Sequence, residues 1–569
     1  MKRLFDEHIV RNTRSLDGTW RFKCDKDDVG VDEVWYKNAL DGESVTVPSA
    51  WNTYSGLLTY EGAVWYEKEF YNVGGALRLV FEGVMTECDV WLDGEHIGYH
   101  YGGFTAFDFI IPDTTAGLCR LTLRVSNSFD AKSIPQAYVD WYHYGGITRS
   151  VTVQWLEGAT ILSSKLDYTL AEDLSRARCN FEVELYGASD ADDELTCTID
   201  GCEVAKIHVS LKKGERKRVK LPEFVLKNIE LWSSYSPRLY NVSFSTSTDD
   251  LYDRTGFRKI EINDGKVYIN GKEIEFRGVN RHEDHPEFGM AFPSALMRRD
   301  IELIEELGCN IIRGSHYPNA KEFLDLCDER GMLFWSEIPI WGVGFKEAVL
   351  ADEDVETRGL TMHSEMLLQY FNHPAIVIWG MHNETPTNTQ TVYNLTKRYR
   401  EFIDANDTSR LVVYASCLPL DDVCFEFSDI ACVNMYFGWY PYNFADNSWG
   451  KFLDLFSARL DELGFSDKPI AISEFGAAAL YGCHDGDDIL WSEEYQAKLI
   501  ANCLELFHED SRVVGSFIWQ FADIRTAKEA GINRARSFNN KGIMNEYRKP
   551  KLAYREVTRL YNNFKKQEM

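Results

Sequence analysis

Two glutamates stand where an acidic side chain is hard to place without a purpose. Glu384 closes the segment Ala375-Ile-Val-Ile-Trp-Gly-Met-His-Asn-Glu, and Glu474 follows Pro469-Ile-Ala-Ile-Ser. A carboxylate set directly after a buried apolar run costs several kcal/mol unless a partner offsets the lost hydration. Either residue alone reads equally well as a strand-end group paired with an arginine. Together they suit a specific reaction. Glycoside hydrolysis with retention needs two carboxyls ~5–5.5 Å apart, one attacking the anomeric carbon and one protonating the departing oxygen.

The elements around them must bring the pair together. From residue 261 to 569 short apolar runs alternate with helical stretches, beginning near Glu275, Asn310, Met332, Ala375, Leu411, Ile430, Pro469 and Val513. This texture predicts parallel βα units and a (β/α)8 barrel, whose catalytic groups sit at the C-terminal ends of strands. Glu384 ends the fourth strand and Glu474 the seventh, ninety positions later. Three βα units of roughly thirty residues each span that distance and return the chain to the same face. Upstream, residues 1–158 alternate apolar and polar side chains, as in Ala76-Leu-Arg-Leu-Val-Phe-Glu and Cys88-Asp-Val-Trp-Leu. They predict a β-sandwich. Residues 159–260 repeat the pattern with fewer aromatics, in Phe181-Glu-Val-Glu-Leu and Leu195-Thr-Cys-Thr-Ile, spaced as in an immunoglobulin-like domain.

Bulk composition narrows the partners. The net charge of −28 over 569 residues argues against nucleic-acid binding, which needs a basic stripe. The same charge repels an anionic substrate at long range, so a pocket for an acid must carry its own cation. No apolar block in the N-terminal segment suits a secretory leader, and no stretch is long enough to span a bilayer. Thirteen cysteines, scattered from Cys24 to Cys503 without CxxC pairs, suggest reduced thiols and a cytoplasmic location. The 14% aromatic content suits sugar faces and sandwich cores alike. The run Arg281-His-Glu-Asp-His lacks HExxH spacing, so structural roles are expected there rather than a metal. No cofactor is called for. The polar tail Lys565-Lys-Gln-Glu-Met is expected to fray.

The motifs resemble glycoside hydrolase family 2, and within it the bacterial β-glucuronidases, almost end to end. The likeness is carried by Trp65-Tyr-Glu-Lys-Glu-Phe, Asp140-Trp-Tyr-His-Tyr-Gly-Gly-Ile-Thr-Arg-Ser-Val, Arg277-Gly-Val-Asn-Arg-His-Glu-Asp, Arg313-Gly-Ser-His-Tyr-Pro and Trp491-Ser-Glu-Glu-Tyr-Gln, beside the two glutamates. It implies a multidomain fold of jelly-roll sugar-binding β-sandwich, immunoglobulin-like β-sandwich and C-terminal TIM barrel. It also implies Glu384 as acid/base, Glu474 as nucleophile, Asn383 on the sugar 2-hydroxyl and Tyr436 orienting the nucleophile. Asn539 and Lys541 are similar to the family's Asn-x-Lys pair that reads a uronic acid, and Lys541 would answer the repulsive global field. Asp140, His316, Tyr440 and Trp519 are implied as further substrate contacts. Arg534 and Arg536 both precede the Asn-x-Lys pair, and sequence does not choose between them. Beside better-known relatives the segment from Gly342 to Asn372 is short, which implies an open cleft suited to larger glucuronides.

The expected activity is that of a retaining exo-β-glucuronidase forming a covalent glycosyl-enzyme. A β-galacturonidase or mixed enzyme is the nearest alternative, because the Asn-x-Lys pair senses the carboxylate and not the 4-hydroxyl. A β-galactosidase is disfavoured by that same pair. A non-catalytic carbohydrate-binding protein is the alternative of another class, since fold does not guarantee function. The expected partner is a β-glucuronide or related β-hexuronide, and the resemblance implies a homo-oligomer.

Overall fold

The computed structural model describes residues 3–342, 344–486, 489–531 and 533–568. The first sandwich packs a six-stranded antiparallel sheet on a four-stranded one. The larger sheet runs in the order Glu43–Val47, Gly18–Asp25, Ala63–Asn72, Gly117–Ser126, Glu87–Leu92, Glu95–Tyr101. Alternate residues such as Val64, Tyr66, Leu121 and Leu123 point inward and meet Leu77, Leu79 and Val153 of the facing sheet. The second sandwich pairs Ala159–Leu170 with Arg176–Gly187 in one sheet and Ala191–Ile199 with Cys202–Leu211 in the other. Phe181 and Phe244 meet edge to face at 5.0 Å in its core.

The remaining chain forms a closed parallel barrel. Its strands are β1 Phe276–Asn280, β2 Ile311–Gly314, β3 Leu333–Glu337, β4 Ile376–Asn383, β5 Leu411–Ser416, β6 Ala431–Asn434, β7 Ile470–Phe475 and β8 Val513–Ile518. Every residue of these strands is buried, as expected where helices cover the outside and side chains fill the inside. The longer helices are α1 Ser294–Leu307, α2 Lys321–Arg330, α3 Glu353–Tyr370, α4 Gln390–Asn406, α5 Trp449–Glu462, α6 Glu493–Glu509 and α7 Leu552–Glu568. In α4 the buried positions Val392, Leu395, Thr396, Tyr399 and Ile403 follow the 3.6-residue period, so one stripe faces the strands. The eight apolar runs in the sequence all become barrel strands, several of them longer than their apolar part. β4 runs four residues past Trp379, because its last turns carry the polar groups of the mouth. Gly380 is required there: a Cβ would lie 2.5 Å from Cβ of Glu337 and equally close to the Trp335 indole nitrogen. The tail expected to fray instead continues α7 through Glu568. Between Gly344 and Asn372 the described chain is mostly helical, with a short helix Glu347–Leu350 before α3. Among the described residues no helix is long and apolar enough to cross a membrane.

The first sandwich is fastened to the barrel mouth. Arg149 donates to Glu283 at 3.0 Å and to the Pro318 carbonyl at 3.0 Å, all of them buried. Trp141 lies 5.4 Å from the His316 ring and 5.7 Å from His282. This docking carries Asp140 to the barrel mouth, where it meets Arg534.

Candidate active site

The organising group is Arg313, at the end of β2 and fully buried. It forks onto Glu337 through Nε and Nη2, both at 3.0 Å, and its Nη1 donates to Oε1 of Glu474 at 2.9 Å. Nη2 also donates to Asn383 Oδ1 at 2.7 Å. Such an arginine is tolerable inside a protein only because its donors are matched, here by two carboxylates and an amide oxygen.

Glu384 follows β4 with a φ of +50°. Its Oε1 accepts from Asn434 Nδ2 at 2.9 Å, and the same nitrogen reaches Asn383 Oδ1 at 3.0 Å. Because two donors converge on Asn383 Oδ1, the amide orientation is fixed, and its Nδ2 is a buried donor without a partner among the described residues. Glu474 accepts from the Tyr436 hydroxyl at 2.6 Å in addition to Arg313.

The two carboxyls therefore differ. Burial, then repulsion from Glu474, pushes Glu384 up to about 8, against the single hydrogen bond from Asn434. Burial also pushes Glu474 up, to about 7, with Arg313 and the Tyr436 hydroxyl holding it back. The arrangement favours charge on Glu474, which has the guanidinium and the phenol beside it, over charge on Glu384. His316 is held neutral by burial and by Arg313. Its Nδ1 is 2.7 Å from Glu337 Oε1, so Nδ1 bears the hydrogen and donates. Nε2 is left as a bare acceptor 3.7 Å from Glu474 Oε1, without a hydrogen bond. Trp519 stacks on the His316 ring at 5.1 Å.

On the other wall Lys541 is only 2% exposed, yet among the described residues no carboxylate lies within ion-pair reach of it. Its ammonium donates to the Tyr440 hydroxyl at 2.9 Å and sits over the rings of Tyr440, Tyr436 and Trp439 at 4.9, 5.3 and 5.9 Å. Asn539 shapes the turn: its Oδ1 accepts from the Lys541 backbone N–H at 3.3 Å, and its Nδ2 donates to Asp140 at 3.3 Å. Arg534 joins them, donating to both oxygens of Asp140 and, at 3.2 Å, to Tyr440. Burial pushes the Tyr440 phenol up, but Lys541 and Arg534 outweigh it and hold the group below its ordinary value.

The structure thus gathers all ten sequence-derived candidates, Glu384, Glu474, Asn383, Asn539, Lys541, Asp140, His316, Tyr436, Tyr440 and Trp519, around one end of the barrel. Asp140 arrives with its oxygens already held by Arg534. Of the two arginines left open, Arg534 faces this cluster, whereas Arg536 turns to Glu546 and Asn540. Sequence reasoning also passed over Arg313, Glu337 and Asn434 as site residues. Arg313 could have been found in its strand-end motif beside His316; nothing local marks Asn434. In the run Arg281-His-Glu-Asp-His, Arg281 binds Asp300, Glu283 binds Arg149, and His282 meets the Tyr317 hydroxyl. Two other clusters have donor types suited to a metal, His8 with Asp249 and Asp250, and Asp325 with Asp328 and His373. Each already has an arginine on one of its carboxylates, Arg11 on Asp249 and Arg3 on Asp325.

Comparison with known proteins agrees with this architecture. Residues 13–156 match the sugar binding domain of glycosyl hydrolases family 2, residues 159–258 a further glycosyl hydrolases family 2 model, and residues 260–566 the family's TIM barrel domain. A β-glucuronidase of Paenibacillus borealis is 27% identical over 96% of both chains. The crystal structure of a family 2 β-galacturonidase from Eisenbergiella tayi bound to galacturonate superposes with a TM-score of 0.91 at 32% identity, covering 99% of both chains. A β-glucuronidase from Ruminococcus gnavus in complex with D-glucuronic acid gives 0.86 at 26% identity, again over 99% of both. The chain is a glycoside hydrolase and belongs to glycosyl hydrolase family 2.

Proposed function

We propose that the chain is a retaining exo-β-hexuronidase that hydrolyses β-D-glucuronides. The observation that carries this reading is Lys541, a buried ammonium whose hydrogen-bond partner is the Tyr440 hydroxyl and which has no carboxylate beside it among the described residues. A uronic acid would supply the missing anion, with Asn539 and Arg534 fixing its direction. A neutral sugar would leave the charge unmatched, a penalty of ~2–5 kcal/mol that acts as a selectivity filter.

In the first step Glu474 attacks the anomeric carbon while the proton on Glu384 passes to the departing oxygen, leaving a glycosyl ester and a Glu384 carboxylate. Water then gives a proton back to Glu384 as it displaces Glu474. The unpartnered Nδ2 of Asn383 is suited to the sugar 2-hydroxyl, where a hydrogen bond strengthens as positive charge develops on the ring. The neutral His316 acceptor suits a second hydroxyl, and Trp519 supports that ring. Thirteen free cysteines fit a reducing, cytoplasmic setting. Homo-oligomeric assembly belongs to the same proposal by family resemblance.

A second reading, β-galacturonidase, is favoured by the greater likeness to the Eisenbergiella tayi enzyme. The two substrates differ only at the 4-hydroxyl. Initial rates on p-nitrophenyl β-D-glucuronide and β-D-galacturonide, run side by side with the β-D-glucoside, decide between them. A glucoside turned over as fast as either uronide would sink both.

A further inference from the structure

Glu384 lies in the left-handed backbone region, which residues with a Cβ rarely adopt. Something must hold it there. His382 and Thr385, on either side of it, are tied to each other: Thr385 Oγ1 is 2.9 Å from His382 Nδ1. The other ring nitrogen, Nε2, is 2.8 Å from Thr396 Oγ1 on α4. All three residues are fully buried.

The direction of each bond follows from one fixed end. Thr396 spends its hydroxyl hydrogen on the Val392 carbonyl at 2.7 Å, one helical turn back. It can therefore only accept from His382, so Nε2 carries the ring hydrogen and Nδ1 is bare. Thr385 must then donate to Nδ1. Burial, with His363 nearby, pushes the imidazole down to about 3, so it stays neutral with one tautomer. The ring is also stacked on Tyr414 at 4.8 Å, whose hydroxyl donates to Asp422 at 2.8 Å. Other bonds pin the strand end: the Glu384 N–H to the Ala415 carbonyl at 2.8 Å, and the Asn383 N–H to Ile340 at 2.8 Å.

We infer that His382 is a positioning residue for Glu384: a hydrogen-bond relay from Thr385 through His382 to Thr396 anchors the backbone on both sides of the acid/base to helix α4. This rests on the proposed role of Glu384. A proton donor must meet the departing oxygen in the bond-breaking geometry, and a misplacement of about 1 Å can cost about a hundredfold in rate. The relay should matter only where the leaving group needs protonation.

That condition supplies the test. Thr385→Val keeps the side-chain shape and removes the donor; Thr385→Ser keeps the donor. Each is compared with the parent and with Glu384→Gln, using phenyl and 2,4-dinitrophenyl β-uronides of the faster-cleaved epimer. Dinitrophenolate departs without protonation. Thr385→Val should lower kcat/KM for the phenyl substrate about 30- to 100-fold and leave the dinitrophenyl substrate within about threefold. Thr385→Ser should restore the parent ratio. Equal losses on both substrates, or none on either, would overturn the inference. Glu384→Gln keeps the two failures apart. If it depresses only the phenyl substrate and azide then releases a β-glycosyl azide, the acid/base role holds and any failure belongs to the relay. If it depresses both substrates alike, the assignment of Glu384 fails and the relay falls with it.

Discussion

Asp140 and Arg534 meet across the junction of sandwich and barrel, with both carboxylate oxygens 2.7 Å from the same Nη2. The pair sets the geometry of the wall that holds Lys541, because Arg534 also donates to Tyr440 and Tyr440 accepts from Lys541. Substituting either partner should raise KM on a uronide about tenfold, since one link in a shared network is lost. The double variant Asp140→Ala/Arg534→Ala should be little worse than Arg534→Ala alone. Additive losses in this cycle would show that Asp140 contributes to binding independently of the arginine.

Lys541 gives a prediction with opposite signs for activity and stability. Lys541→Met should lower kcat/KM on the uronide by about 10²–10³ through loss of the charge that matches the carboxylate. The same change removes a buried cation that has no carboxylate partner among the described residues, so the melting temperature should hold or rise. The checks are a thermal melt with and without added uronic acid, and rates on the uronide and the glucoside. A variant that melts well below the parent would make Lys541 a structural residue.

The pH profile follows from the unequal glutamates. In the proposed mechanism the active form has Glu384 protonated and Glu474 ionised, so kcat/KM should fall below about 7 as Glu474 gains a proton and above about 8 as Glu384 loses one. Tyr436 donates to the Glu474 carboxylate and favours its charged form. Tyr436→Phe should move the acid limb to higher pH by up to about one unit and leave the basic limb in place. A shift of both limbs would mean that the tyrosine acts on the pair as a whole.

Much of this was legible before any coordinates, for reasons that differ between elements. The barrel strands announce themselves because each is buried on both sides and most read as short, largely apolar runs, interrupted where a polar group such as Arg313 serves the mouth. Glu384 and Glu474 stand out because charge at the end of such a run is conspicuous. The sequence leaves Asn434 unmarked: its importance comes from register, which sets β6 beside β7 and pairs Asn434 with Glu474. The choice of Arg534 over Arg536 was equally hidden. It depends on Arg536 entering the left-handed region at φ +62°, which belongs to a turn and to no local pattern. His382 looked like one more residue in a strand until Thr396, on the next helix, gave its ring a fixed hydrogen-bond direction.

Catalytic poise carries a stability cost that one substitution should reveal. In the folded protein Glu384 is pushed from the ordinary 4.5 up to about 8, chiefly by burial. Between those values the folded state holds a proton that the unfolded chain has released, so stability falls as pH rises through this window. Below about 4.5 both states are protonated and the penalty vanishes. Glutamine keeps the acceptor for Asn434 and cannot ionise. Glu384→Gln should therefore be more stable than the parent at pH 8, by on the order of 2 kcal/mol given its coupling to Glu474. The two melting curves should converge near pH 4.5. Thermal melts at half-unit steps from pH 4.5 to 8.5 measure the gap directly. A gap that stays constant across the range would come from packing at the site rather than from a carboxyl held against its ionisation.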